Sequence, residues 1–320
     1  MTHAPPPDFR ALSARLGSDP LQVQGPGGNT SIKRDGVMWI KASGTELADA
    51  TRKDIFVAVS REKARAEAHG AGDGTCKATV LDPAITLRPS IETTFHALLD
   101  WPVVAHTHSV ATLVHAISPQ GRTLAAQKLK DLPVIFVPYR KPGLPLTSAI
   151  IERLTADVQV IILENHGLVC AGPSVQAVSD LIAVVEDRLA LPAQVPPNPA
   201  PRADPPDGYA WDAAATVLAT TPRLTTLAQA GSYYPDHVVF LGPALPTTPT
   251  APACLVQGIG AALRTDATSS QTAMLRCLAD VLTRLPADWD ATPIGPGAEA
   301  ELLDWDAEKY RQALAAKGTP

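Results

Sequence analysis

Seven prolines fall between residues 191 and 208, in LPAQVPPNPAPRADPPDG. No helix or inner strand survives that density, because each proline removes a backbone donor and fixes its own φ. The chain is thereby divided into residues 1–190, a proline-rich linker at 191–208, and residues 209–320. In the first part apolar runs alternate with helical patterns. VMWIKAS, DIFVAVS, WPVVAHTHS, LPVIFVPY and VQVIILEN read as strands, and SIETTFHALLD, SVATLVHAIS and SVQAVSDLIAVVEDRLA as helices. After the linker, HVVFLG and ACLVQG read as strands, and SSQTAMLRCLADVLTRL and DAEKYRQALAAK as helices, enough for a small C-terminal α/β unit. The pattern predicts an α/β or α+β layered fold without a fixed-period repeat.

Composition narrows the function classes. With 45% hydrophobic residues in 320, the chain can bury a full core. A net charge of -5 without any long Lys/Arg run lacks the footprint for nucleic acid or an anionic membrane. MTHAPPPDFR carries no apolar h-region, and no window approaches the ~18 apolar residues of a membrane helix, so the expectation is a soluble, cytoplasmic protein. Its expected partners are small molecules and its own subunits. Cys76, Cys170, Cys254 and Cys277 never form C-x-x-C and read as reduced, buried fillers.

In AHTHSV, His106 and His108 stand two apart, which on a strand points both imidazoles to one face. Alone, an H-x-H in an apolar strand is as well explained by satisfied core histidines. His166 adds a third, placed in VIILENHGLV after a strand-like run and before a glycine able to turn sharply. Three histidines leave one coordination position open, the arrangement of catalytic rather than structural zinc. Glu92 in RPSIETTFHALL is the candidate carboxylate: Ser90 reads as the helix N-cap, which puts Glu92 in the first turn, where it either offsets the helix dipole or works in the site. His96, four residues on, shares that face and reads as a core histidine or one supporting the ligands.

QGPGGNTSIK supplies Gly28 and Asn29 in a turn with exposed N–H and hydroxyl groups, and ASGT supplies Ser43 and Gly44; both suit an oxyanion or an ordinary loop. Neither is a nucleotide motif: Thr30 breaks G-x-G-x-x-G, and no G-K-[ST] follows at P-loop spacing. In ACLVQGIGAALRTD, Gly258 and Gly260 follow a strand, but residue 263 is leucine, so a tight strand-to-helix turn is the preferred reading over a dinucleotide site.

GGNTS, KASGT, PSIETTFH, HTHS and ENHG occur in the order and approximate spacing of the class II aldolase/adducin family, which the chain resembles over roughly residues 10 to 190. That family includes fuculose- and rhamnulose-phosphate aldolases and ribulose-phosphate 4-epimerase. Residues 209–320, with YPDHVVFLG and LLDWDAEKYRQAL, look similar to the tail of the aldolase part in bifunctional rhamnulose-1-phosphate aldolase/alcohol dehydrogenases. The resemblance implies an α/β/α three-layer fold around a central, largely antiparallel sheet, usually assembled as a homotetramer. It implies Zn2+, or another divalent ion such as Mn2+ or Co2+, on His106, His108 and His166. Glu92 is then the acid/base and a further ligand of the resting metal, and Asn29, Ser43, Gly44 and Ser90 match positions around a substrate phosphate.

The expected function is therefore a metal-dependent aldolase acting on a ketose or ketose phosphate through an enediolate. The alternatives are epimerisation, decarboxylation of a 3-oxo acid, or a non-catalytic adducin-like role, against which retention of the histidines and Glu92 argues. The phosphate aldolases carry a proton-donating tyrosine after HTHS, whereas residues 109–138 here contain none, and Tyr139 does not inherit that role.

Overall fold

The computed structural model describes residues 4–194, 201 and 203–317. Helix α1 spans Pro7–Ser18, followed by strands β1 (Asn29–Arg34), β2 (Val37–Lys41) and β3 (Phe56–Ser60), then α2 (Arg61–Ala68) and α3 (Thr93–Leu98). Strand β4 (Val103–Thr107) leads into α4 (Val110–Ala116) and α5 (Pro119–Lys128); β5 (Val134–Val137), α6 (Leu144–Ile151), β6 (Val160–Leu163), β7 (Gly167–Gly172) and α7 (Val175–Leu189) complete the first part. Seven strands form one sheet in the order β3-β2-β1-β4-β7-β6-β5. Every pairing is antiparallel except β5 with β6. This is the three-layer α/β/α arrangement around a largely antiparallel sheet.

Strand alternation sorts the core between the two faces. Val103 and Ala105 of β4, Val160 and Ile162 of β6, and Leu168 and Cys170 of β7 pack under α1 and α7. The intervening Val104, Ile161, Leu163, Val169 and Ala171 pack against α3 and α6. All four cysteines are free and buried. Among the described residues no helix is long and apolar enough to cross a membrane.

The second part contains β8 (Tyr209–Asp212), α8 (Val217–Thr220), α9 (Pro222–Gln229), α10 (Pro235–Leu241), β9 (Ala253–Val256), β10 (Gly260–Arg264), α11 (Ser269–Arg284), α12 (Pro296–Leu303) and α13 (Asp306–Lys317), with a small sheet ordered β8-β10-β9. Two expectations need correction. HVVFLG is not a strand but most of α10: Pro235 opens the helix, Asp236 lies in its first turn, and all seven of its residues are buried. Burial on every side removes the polar positions that would have disclosed a 3.6 period. The glycines of VQGIG join β9 to β10, so the turn is strand-to-strand; no helix N-terminus follows it to receive a pyrophosphate.

Of the proline-rich stretch, 191–194, 201 and 203–208 carry no helix or strand, and 195–200 and 202 lie outside the described residues. The two flanking parts share one apolar cluster. Val110, Leu113 and Val114 of α4, and Ile117 just after it, are buried with Val238, Leu241, Met274 and Leu278 of α10 and α11. Leu113→Ala should therefore cost about 2–5 kcal/mol. Urea unfolding followed by tryptophan fluorescence, which reports from Trp39 and Trp101 on one side and Trp211 and Trp289 on the other, should show one transition moved to lower denaturant.

Candidate metal centre

His106 sits on β4 between Asn29 of β1 and Val169 of β7. Alternation puts it on the α3 face, where its ring meets Phe95 edge-on at 6.1 Å. Its Nδ1 lies 3.0 Å from the Leu168 carbonyl, so Nδ1–H donates there and Nε2 keeps the lone pair. That Nε2 is buried without a hydrogen-bond partner. His108 lies one residue beyond β4 rather than inside it, because Ser109 already caps α4 by accepting from Thr112 N at 3.0 Å. His166 stands in the turn between β6 and β7. Gly167 follows it at φ 154°, and a Cβ there would come within 2.3 Å of the Thr107 carbonyl, so only glycine lets the turn approach β4 this closely.

The three ring centroids are 4.9, 5.0 and 5.4 Å apart, and one nitrogen from each lies within 4.8 Å of the others. Glu92 joins them, but not from the first turn of a helix. Ser90 N donates to Lys41 O at 3.1 Å and Pro89 bridges Ala42, which holds the chain extended, so α3 begins only at Thr93 and Glu92 is its N-cap residue. Ser90 is thus not the N-cap; its Oγ accepts from Glu92 N at 3.2 Å.

Glu92 Oε2 is 3.5 Å from His106 Nε2, and Oε1 is 3.6 Å from His166 Nε2. Asn29 Nδ2 donates to Oε2 at 2.7 Å, and Asn29 Oδ1 accepts from His96 Nε2 at 2.5 Å, with His96 Nδ1 in turn 2.8 Å from Ser31 Oγ. His96 therefore orients the amide that orients Glu92 and stands outside the imidazole cluster. Burial would raise the Glu92 carboxyl, but His106, His166, the Asn29 amide and His108 outweigh it and hold it at about 2. Burial depresses His106 and takes His166 to about 3. At neutral pH the site therefore sets an ionised carboxylate against the neutral imidazoles of His106 and His166, and the lone pair of His106 Nε2 faces a carboxylate oxygen with no proton between them. A cation fits that gap: the donor set is the one a divalent metal takes, and the orphaned buried Nε2 is the position it would satisfy.

A further layer comes from the second part of the chain. His108 Nδ1 lies 3.2 Å from Asp236 Oδ2, so it donates there and turns Nε2 toward the cluster. Arg311 on α13 grips Asp236 through both nitrogens at 2.8 and 3.1 Å, and Glu308 holds Arg311 at 2.8 Å. Burial would raise the Asp236 carboxyl, but Arg311 and His108 hold it well below the usual range. Gly27 leaves space for this contact: a Cβ there would meet His108 Nδ1 at 2.8 Å and Asp236 Oδ2 at 2.9 Å. Asn165 ties the His166 turn to the same part of the chain by donating to Tyr233 O and Thr292 O at 3.0 and 2.8 Å.

Lys41 is buried with its Nζ donating to Pro26 O at 2.7 Å, and burial, then Arg311, push it down to about 7. Sequence reasoning assigned no role to Lys41, Asp236, Glu308 or Arg311. An aspartate between Pro235 and an otherwise apolar run was the available signal for the second of these.

Gly28, Asn29, Ser43, Gly44 and Ser90 come together around one small cavity with Glu92, His108 and His166. Several are already engaged: Asn29 by Glu92 and His96, Ser90 by Glu92 N, and Gly44 is covered by Leu314 of α13. Tyr139 does not line this cavity.

Residues 11–191 match the model of the class II aldolase and adducin N-terminal domain, and the chain belongs to that family. It is 30% identical over 176 residues to a Bacillus subtilis protein named uncharacterized oxidoreductase YuxG, a match covering 49% of this chain and a quarter (25%) of that protein. Among solved structures, the N-terminal class II aldolase domain of a conserved Thermoplasma acidophilum protein is 26% identical, with a TM-score of 0.51, covering 59% of this chain and 94% of that one. L-fuculose-1-phosphate aldolase from Thermus thermophilus is 18% identical, with a TM-score of 0.38, covering 57% and 92%.

Asp236→Asn should weaken divalent-metal affinity about 10–100-fold, and His106→Ala should remove tight binding altogether. Competition of the purified variants against a chelator of known affinity measures both; unchanged affinity in His106→Ala would exclude the imidazole cluster as the site.

Proposed function

We propose that the chain is a divalent-metal aldolase that makes or breaks a carbon–carbon bond beside the carbonyl of a ketose or ketose phosphate. The observation that carries the reading is the facing pair of buried lone-pair donors, Glu92 and His106, inside a cluster of three buried imidazoles. His106, His108 and His166 would hold the ion, zinc or a similar divalent metal. Such an ion supplies Lewis acidity to a hydroxy-carbonyl group, easing the negative charge that develops when the bond breaks.

The remaining work falls to Glu92. Asn29 occupies Oε2, whereas Oε1 is buried without a partner, so Oε1 is the oxygen left to take and return a proton. A carboxyl held at about 2 starts as the base and gives the proton back to the enediolate carbon. Asn29, itself anchored by His96, keeps the carboxylate from rotating away from that carbon. Membership of the family supports the lyase class.

Assay of metal-loaded protein against ketose phosphates, free ketoses and 3-oxo acids tests the reading: an aldehyde product is expected, and release of carbon dioxide alone or an epimer alone would replace it. Glu92→Gln should keep a folded protein and lower turnover about a hundredfold or more. Turnover within a few-fold of the unmodified enzyme would reduce Glu92 to a helix-end carboxylate.

A further inference from the structure

The cavity at the imidazoles has a volume of about 30 Å3, room for only about two waters. Ser43, Ile91 and Pro142 line it and also line a neighbouring chamber of about 470 Å3, within the usual size range of small-molecule sites. The chamber's charge is unusual. Lys77, Arg88 and Lys141 all border it, and none of the three makes an ion pair among the described residues. Arg88 lies 4.0 Å over the Tyr310 ring and Lys141 Nζ 4.7 Å over the Trp305 ring. Aromatic faces order these cations without neutralising them, unlike Arg311, which two carboxylates hold. Of the two acids on the rim, Asp73 is turned onto Thr75, at 2.9 and 2.7 Å, and Asp306 opens α13.

We propose that this chamber is a subsite for an anionic group, a phosphate or a carboxylate, at the far end of a substrate whose hydroxy-carbonyl end lies at the imidazoles. The proposal rests on the metal-aldolase reading above and names its substrate class: an open-chain compound with an anionic end. Arg88 supplies planar paired donors that match carboxylate or phosphate oxygens, and Lys77 and Lys141 supply point charge. The serine and glycine turns do not serve this purpose equally well, because Asn29, Ser90 and Gly44 are engaged or covered where they stand. Two of the subsite's walls, Trp305 and Tyr310, lie beyond the family-matched residues 11–191.

The test measures dissociation constants of the metal-loaded full chain for three chelators that differ only at the far end, where methyl, carboxylate or phosphonate follows the same two methylenes: butyrohydroxamate, succinohydroxamate and 3-phosphonopropionohydroxamate. The unmodified protein should bind at least one anionic chelator about tenfold or more tighter than butyrohydroxamate, with the tighter one identifying carboxylate or phosphate as the group. In the Arg88→Met/Lys141→Met double variant that advantage should fall at least fivefold, and Arg88→Lys alone should retain part of it. Thermal unfolding of the variants separates this loss from misfolding. Equal advantage in the double variant, or none in the unmodified protein, overturns the proposal while leaving the metal centre standing. Failure of butyrohydroxamate itself to bind in a metal-dependent way overturns the metal reading and the subsite with it.

Discussion

A carboxylate oxygen and an imidazole lone pair face each other at 3.5 Å in the buried interior, and most of the surrounding structure is arranged to keep them there. Two acceptors without a proton between them are costly in a low-dielectric interior unless a cation lies between. The protein brings them together from independent directions: β4 carries His106, the β6–β7 turn carries His166, and the start of α3 carries Glu92. Two of them are locked from their other side, His106 through Leu168 O and Glu92 through Asn29. The geometry therefore persists because the backbone layers are packed on both sheet faces, and cannot relax by one side chain turning away.

The C-terminal part is integral to this arrangement. Its helices share an apolar cluster with α4, which begins two residues after His108. Glu308, Arg311 and Asp236 form a buried chain ending on His108 Nδ1, in which one guanidinium lies between two carboxylates and the second of these, Asp236, fixes an imidazole. Asn165 ties the His166 turn to the same part through two carbonyls. Two of the three imidazole positions are thus supported by residues beyond 191, the end of the family-matched region.

That same part also encloses the site. Glu308 and Arg311 line the cavity at the imidazoles, Leu314 covers Gly44, and Trp305 and Tyr310 wall the neighbouring chamber. Helix α13 therefore governs how much space the turns GGNTS and ASGT can offer, independently of their own glycines and hydroxyls.

Local sequence determined what depends on near neighbours along the chain. Strands with alternating or continuous apolar runs, long amphipathic helices such as α7 and α11, and the His106/His108 pair were legible because periodicity and spacing are local quantities, whereas His166 and Glu92 were joined to that pair through the order of the motifs PSIETTFH, HTHS and ENHG. Helix α10 was not legible, since burial on all sides erases the period, and the start of α3 was misplaced because a bridge from Pro89 to Ala42 holds the preceding residues extended. Only the tertiary structure decided that His96 stands behind Asn29, that Asp236 aims His108, and that Arg88 and Lys141 meet aromatic rings from the end of the chain. Those are contacts between residues as many as 222 positions apart, and no spacing rule acts over that separation; they follow from which layers come to lie face to face.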